Sequence, residues 1–256
     1  MMDNHTHIYN SRIIKSYVEY LKKHLPEVDS DPLLKYADIE TYQLDDEGHW
    51  LTQEQVDRFH DILAKTTQDP DISRKVGRFS VTSRASGALG QYMLGFINPA
   101  TVYGVLERIN AQLSRGATLK TKAIGADRIE AKATLQAGVA EKPYQCQNRL
   151  GGLEALAKLS TNKFASIEHP VCIHKGGDCC LYVISWENTR TFFWKRIRNY
   201  YFWIAFALCA ILFSFMKPAY WDVLTLSCVL MGMGVTLYAE HLEKKDLLAH
   251  IFNQGD

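Results

Sequence analysis

The chain has no surplus of either charge sign. Its 29 Lys and Arg against 28 Asp and Glu leave a net charge of +1. That removes the basic footprint a nucleic-acid binder carries. The first thirty residues, MMDNHTHIYNSRIIKSYVEYLKKHLPEVDS, lack an apolar core of the kind a secretory signal has. No Gly-rich dinucleotide fingerprint, nucleophile elbow or open three-ligand metal motif is found, so the chain is not expected to be an enzyme. Internal repeats and low-complexity tracts are also missing. At 47% hydrophobic and 22% charged residues over 256 positions, the composition fits one or two ordinary globular domains.

Hydrophobicity is concentrated late. Residues 200–216, YYFWIAFALCAILFSFM, and 223–239, VLTLSCVLMGMGVTLYA, are uncharged and separated by a six-residue link. At ~1.5 Å per residue each spans about 25 Å, and flanking aromatics such as Trp194, Trp203, Tyr220 and Tyr238 extend them toward a bilayer core of about 30 Å. They are expected to form a two-span membrane hairpin. Arg190, Lys195, Arg196 and Arg198 precede it, Lys244 and Lys245 follow it, and only Lys217 lies between. The positive-inside rule places both termini in the cytoplasm, at an inner membrane. In that reducing compartment Cys146, Cys172, Cys179 and Cys180 favour free thiols or a metal over a structural disulfide.

Residues 1–115 read as mostly helical. Asn10 is placed to cap a helix with Ile13, Ile14, Tyr17, Val18 and Leu21 on one face, Asp31-Pro32 opens a second, and Thr52 to Gln55 is a capping box before Val56, Phe59, Ile62 and Leu63. Asn98-Pro99 begins a helix that follows the Gly-rich stretch SRASGALGQYMLGFI. After Gly116 the period becomes two. TLKTKAIGADRIEAKATL reads as a hairpin, residues 150–164 as a helix, and residues 168–174 with 180–186 as a second hairpin around Lys175-Gly176-Gly177-Asp178. The fold class is therefore α+β: a helical layer (1–115) packed with a β-β-α-β-β module (116–190), then membrane helices (200–239) and an amphipathic output helix (240–256).

The second hairpin holds most of the cysteines. Cys172 and Cys180 flank its turn, and the preceding helix can bring Cys146 to the same end. With Glu168 they offer three thiolates and a carboxylate, the four ligands of a closed zinc site. His169 and Cys179 compete as ligands, and plain buried thiols in a hairpin remain the other reading. A Cys179–Cys180 bridge would be strained.

Cys146 followed by Gly151, then Glu168, then C-x7-C with an internal glycine and a nearby aromatic, resembles the 4-vinyl-reductase domain. The resemblance extends over residues 75–187 and is densest over 144–186. That domain is the ligand-sensing module of aromatic-responsive bacterial activators, with a fold related to the haem-nitric-oxide-binding and Bet3 families. It implies a structural zinc held by Cys146, Glu168, Cys172 and Cys180. One departure stands out: Glu168 precedes Cys172 by four residues rather than three.

The layout further resembles the front end of membrane sensor histidine kinases. A homodimer and an output domain or partner kinase are therefore expected, although the chain has no phosphoacceptor helix or ATP-binding boxes. The expected function is a sensory module whose small aromatic or hydrophobic ligand sits among Phe79, Tyr92, Phe96 and Tyr103. The fold relationship adds an alternative, a haem-based gas sensor with His60, His169 or His174 as axial ligand. Against it, the haem-nitric-oxide-binding family's Y-x-S-x-R signature is missing. A second alternative is a zinc-stabilised membrane scaffold without a ligand.

Overall fold

Thr52 ends one element and starts the next. Its extended backbone closes strand β2 (Trp50–Thr52), and its hydroxyl accepts from the Gln55 backbone N–H at 3.2 Å. The Gln55 side chain returns to the Thr52 N–H at 3.0 Å. This is the expected capping box, and it fixes the start of α4 (Gln53–Thr67), whose buried stripe is Val56, Phe59, His60 and Leu63.

The computed structural model describes residues 6–84, 99–161, 163–187, 190–215 and 217–254. Contacts divide the chain into two units, Met1–Glu187 and Asn188–Asp256. In the first, β1 (His7–Asn10) pairs antiparallel with β2, a two-stranded ribbon inside the region expected to be helical. Around it stand α1 (Arg12–His24), α2 (Asp31–Tyr36), α3 (Thr41–Asp45) and α4. Their shared core includes Ile14, Tyr17, Leu21, Leu51, Phe59 and Leu63. The Asn10 side chain accepts from the Arg12 N–H at 3.1 Å, as its place before α1 suggests.

Next come α5 (Ile72–Arg84), α6 (Pro99–Gly104) and α7 (Leu106–Leu113), then strands β3 (Ala117–Ala123) and β4 (Arg128–Leu135), helix α8 (Pro143–Thr161), and strands β5 (Ser166–Val171) and β6 (Cys180–Ser185). The four strands form one antiparallel sheet in the order β3-β4-β6-β5. The expected β-β-α-β-β succession is therefore present. Helix α8 starts at Pro143, seven residues ahead of the expected Leu150, because the Gln145 side chain caps the Lys142 N–H at 2.7 Å.

Helices α5 and α8 cross at backbone contact. A Cβ on Gly151 would lie 2.0 Å from the Arg74 carbonyl oxygen, and one on Gly77 would lie 2.1 Å from that of Asn148. Only glycine permits this approach. Beside the crossing, Arg74 and Arg78 both donate to the buried Glu154 of α8, Arg78 at 2.6 Å.

The second unit is a pair of helices, α9 (Arg190–Phe213) and α10 (Pro218–Gln254). They are tied by the Tyr201 hydroxyl to the Cys228 carbonyl at 2.8 Å and by the Trp221 indole to the Cys209 carbonyl at 2.9 Å. Within α10, Pro218–Leu242 (25 residues, mean hydropathy 1.6) is long and apolar enough to cross a membrane. The first apolar run forms the shorter helical stretch Ile197–Phe213. Large apolar side chains such as Phe206, Leu226 and Met231 are exposed along both helices.

Candidate ligand cavity and thiol cluster

A cavity of about 200 Å³ lies inside the first unit, among α1, α4, α5, α7, β3 and α8. Its body is apolar, with Val81, Leu106, Ile109, Leu153, Leu156 and Leu159 among the walls. Its polar lining includes His60 of α4 and Glu141, Tyr144, Gln145, Asn148 and Arg149 in and just before the start of α8, with Ser80, Asn110 and Ser114 elsewhere.

His60 is held on three sides. Its ring stacks on Tyr144 with centroids 3.6 Å apart and meets Tyr17 edge-on at 4.6 Å. Nδ1 lies 2.8 Å from the Val56 carbonyl oxygen, which can only accept, so Nδ1 carries the proton. Burial drives the imidazole pKa down to about 3, and the nearby Lys142 adds to the effect. Nε2 is therefore a buried lone pair, and it has no hydrogen-bond partner.

Glu141 and Arg149 form a buried ion pair at 2.6 Å. Arg149 also donates to the Tyr182 hydroxyl at 3.4 Å. Burial opposes the Arg149 charge, and Glu141 and Tyr182 sustain it. Glu141 Oε2 and Gln145 Nε2, like His60 Nε2, are buried without a partner.

The Tyr182 hydroxyl leads to the thiols, since Cys146 Sγ lies 3.3 Å from it. The ligand atoms of Cys146, His169, Cys172 and Cys180 all lie within 4.8 Å of one another. A hydrogen bond from Cys146, helped by the Ile173 N–H, His169 and Tyr182, holds the Cys180 thiol well below the ordinary thiol range against the effect of burial. Cys146 is pushed up in turn, first by Cys180 and then by burial. His169 stacks on Tyr182 at 4.4 Å, and its Nε2 has no partner.

Three of the expected four ligands therefore converge, and the fourth place is taken by His169. Glu168 faces the other side of β5, is 71% exposed and lies 3.6 Å from Arg128. Cys179 is half-buried and stands outside the group. Of the expected ligand-binding aromatics, Tyr92 and Phe96 fall outside the described residues. Tyr103 is core: it donates to the Leu153 carbonyl at 2.7 Å and stacks on Trp186. Phe79 packs edge-on against Tyr20 and His24. Neither is among the residues lining the cavity.

Sequence reasoning missed Glu141, Gln145 and Arg149. Their spacing of four was the available signal, and starting the helix at Leu150 concealed that they share one face with Leu153 and Leu156.

No family model matches the chain, and no curated protein matches it. Solved structures do. An H-NOX protein from S. oneidensis in the Fe(II)NO ligation state is 16% identical, with a TM-score of 0.52 over 70% of this chain and 99% of that one. An oxygen-binding H-NOX domain related to soluble guanylate cyclases is 16% identical, with a TM-score of 0.56 over 70% and 95%. A structure described as modulating haem redox potential through porphyrin distortion is 15% identical, with a TM-score of 0.55 over 69% and 99%. These comparisons correct the zinc expectation, because the cofactor named among the neighbours is haem. The ligand set expected for zinc is not assembled either, since strand parity turns Glu168 away. What the likenesses show is architecture: over about 70% of its length this α+β chain has the H-NOX fold.

Proposed function

We propose that the chain is a sensory module of the H-NOX type, with its effector held in the cavity beneath α4, α7 and α8. The observation that carries this is a largely apolar-walled cavity with unpartnered polar atoms, inside a fold whose solved neighbours bind gases.

The fold likeness favours haem-based gas sensing. His60 is the residue that would take the iron: its Nδ1 is anchored on a backbone carbonyl, as in ligating histidines, and its Nε2 lone pair has no partner. When bound, haem supplies an iron with a coordination position for a small gas. Two features fit haem less well. Arg149, the cationic residue among the described lining, is already committed to Glu141 and Tyr182, and the Y-x-S-x-R signature is missing.

The cavity's size and polar lining favour a second form, direct binding of a small organic molecule. An engineered apolar cavity of about 150 Å³ holds a benzene ring, so about 200 Å³ suits a single substituted ring.

In either form we read residues 1–190 as the sensor, 200–239 as a two-span anchor in an inner membrane with both termini cytoplasmic, and 240–256 as the link to an output domain or partner kinase, working as a homodimer. Absorption spectroscopy during haemin titration tests the occupant. A Soret band that saturates at one haem per chain and is lost in His60→Ala supports haem. No haemin uptake leaves the direct-binding form.

A further inference from the structure

Among the described residues, five buried side-chain nitrogen or oxygen atoms lack a hydrogen-bond partner, and three of them belong to residues lining this one cavity: His60 Nε2, Glu141 Oε2 and Gln145 Nε2. Leaving a buried polar atom unpaired costs about 1–3 kcal/mol, so such a grouping calls for an occupant that pairs with them.

Their chemistry defines that occupant. His60 Nε2 can only accept, because the proton is on Nδ1. Glu141 Oε2 can only accept as well, while Oε1 is engaged by Arg149 at 2.6 Å. Gln145 Nε2 can only donate; its Oε1 already accepts from the Lys142 N–H. A matching head group must offer N–H or O–H hydrogens to two acceptors and an acceptor to one amide.

Charge narrows the choice further. Arg149 already neutralises Glu141, so an ammonium would enter a buried site with no charge left to pair it. A carboxylate would face the Glu141 oxygen and the His60 lone pair. A primary amide, with two N–H hydrogens and a carbonyl oxygen, meets every demand, whereas a hydroxyl has one hydrogen and leaves one acceptor unpaired. Much of the remaining wall, including Leu106, Ile109 and Leu153, suits an apolar body.

We propose that His60, Glu141 and Gln145 form a specificity site for a small neutral molecule with a primary-amide head on an apolar body about one aromatic ring in size. The proposal rests on the direct-binding form of the function above.

The test uses the full-length protein and five matched probes: benzyl alcohol, benzamide, toluene, benzoate and benzylamine, read by calorimetry and thermal shift. Benzamide is expected to bind at least tenfold more tightly than toluene, benzoate and benzylamine, with benzyl alcohol between. Gln145→Glu keeps the Oε1 that caps α8 but replaces the donor with a second anion. It should weaken benzamide about tenfold and bring benzylamine above it. Gln145→Met, which removes the donor and the α8 cap without adding charge, should weaken benzamide without favouring benzylamine and gives a second reading if the first variant does not fold.

Equal binding of benzoate and benzamide, or a ranking that neither variant changes, overturns the site while leaving direct binding intact. If no probe binds up to its solubility limit, water alone pairs these atoms, and both the site and the direct-binding form fail.

Discussion

His60 and Tyr144 lie face to face, with ring centroids 3.6 Å apart and planes 9° from parallel, and the Tyr144 hydroxyl donates to Asp57 at 2.6 Å. The stack joins α4 to the first turn of α8 and so closes the polar side of the cavity. It also holds a histidine where water cannot solvate its charged form.

This arrangement predicts a pH dependence. The folded His60 pKa, about 3, lies below the ordinary value of 6.5. Between those values the unfolded chain binds a proton that the folded chain refuses, so stability falls as pH is lowered through the window. One such proton contributes a slope of about 1.4 kcal/mol per pH unit. Denaturant melts between pH 7 and 4 should show it, and His60→Gln, which titrates in neither state, should flatten the curve by that amount. An unchanged slope in the variant would place the titrating group elsewhere.

The α5–α8 crossing predicts a contrast between adjacent glycines. Gly151→Ala puts a methyl 2.0 Å from the Arg74 carbonyl, in rigid backbone, so the helices must separate. Overpacking of this kind costs about 1–3 kcal/mol or more. Gly152→Ala meets nothing closer than 3.9 Å and gains helix propensity, up to about 1 kcal/mol. Thermal melts should move in opposite directions for the two variants.

Glu154 is sensitive to acid in its own way. Burial alone would raise its pKa, but hydrogen bonds from Arg74 and Arg78 hold it below the ordinary value. Its stabilisation is therefore present above the unfolded carboxylate pKa of about 4.3 and lost as pH falls through the lower folded value. Glu154→Gln should cost about 1–3 kcal/mol at pH 7, and the gap to the parent should close as pH falls below the ordinary carboxylate range.

How much of this was legible in the sequence depends on how local each feature is. The Thr52–Gln55 box and the two hairpins are set by residues a few positions apart, and both were readable. The cavity was not, because Tyr17, His60, Leu106 and Arg149 come from four helices that only tertiary packing brings together. The thiol cluster was half legible. C-x7-C around Gly176-Gly177 marked the turn, where Gly176 has φ +88°. Alternation along β5 then decides between neighbours: Glu168 points to solvent and His169 to Tyr182. Reading that parity would have exchanged the carboxylate for the imidazole without a structure.

Tyr182 tests whether cavity and thiols communicate. Its hydroxyl is shared by Cys146 Sγ at 3.3 Å and Arg149 at 3.4 Å. Tyr182→Phe keeps the ring on His169 and removes only that bridge. It should destabilise the protein by about 1–3 kcal/mol and speed alkylation of Cys146 by a thiol reagent. Unchanged reactivity would show that the hydroxyl is not what holds this thiol.

The membrane reading has a decisive geometry. Pro218–Leu242 is long enough to span alone, whereas Ile197–Phe213 rises only about 25 Å and needs its flanking aromatics to reach both interfaces. If both cross, the turn around Lys217 lies on the side opposite the two termini. If only the longer helix crosses, the turn shares the side of the N-terminus and the C-terminus is translocated. A reporter active only outside the cytoplasm, fused after Trp221 in one protein and after Asp256 in another, separates the cases. The two-span arrangement predicts activity from the first fusion and none from the second, and the reverse pattern leaves a single span.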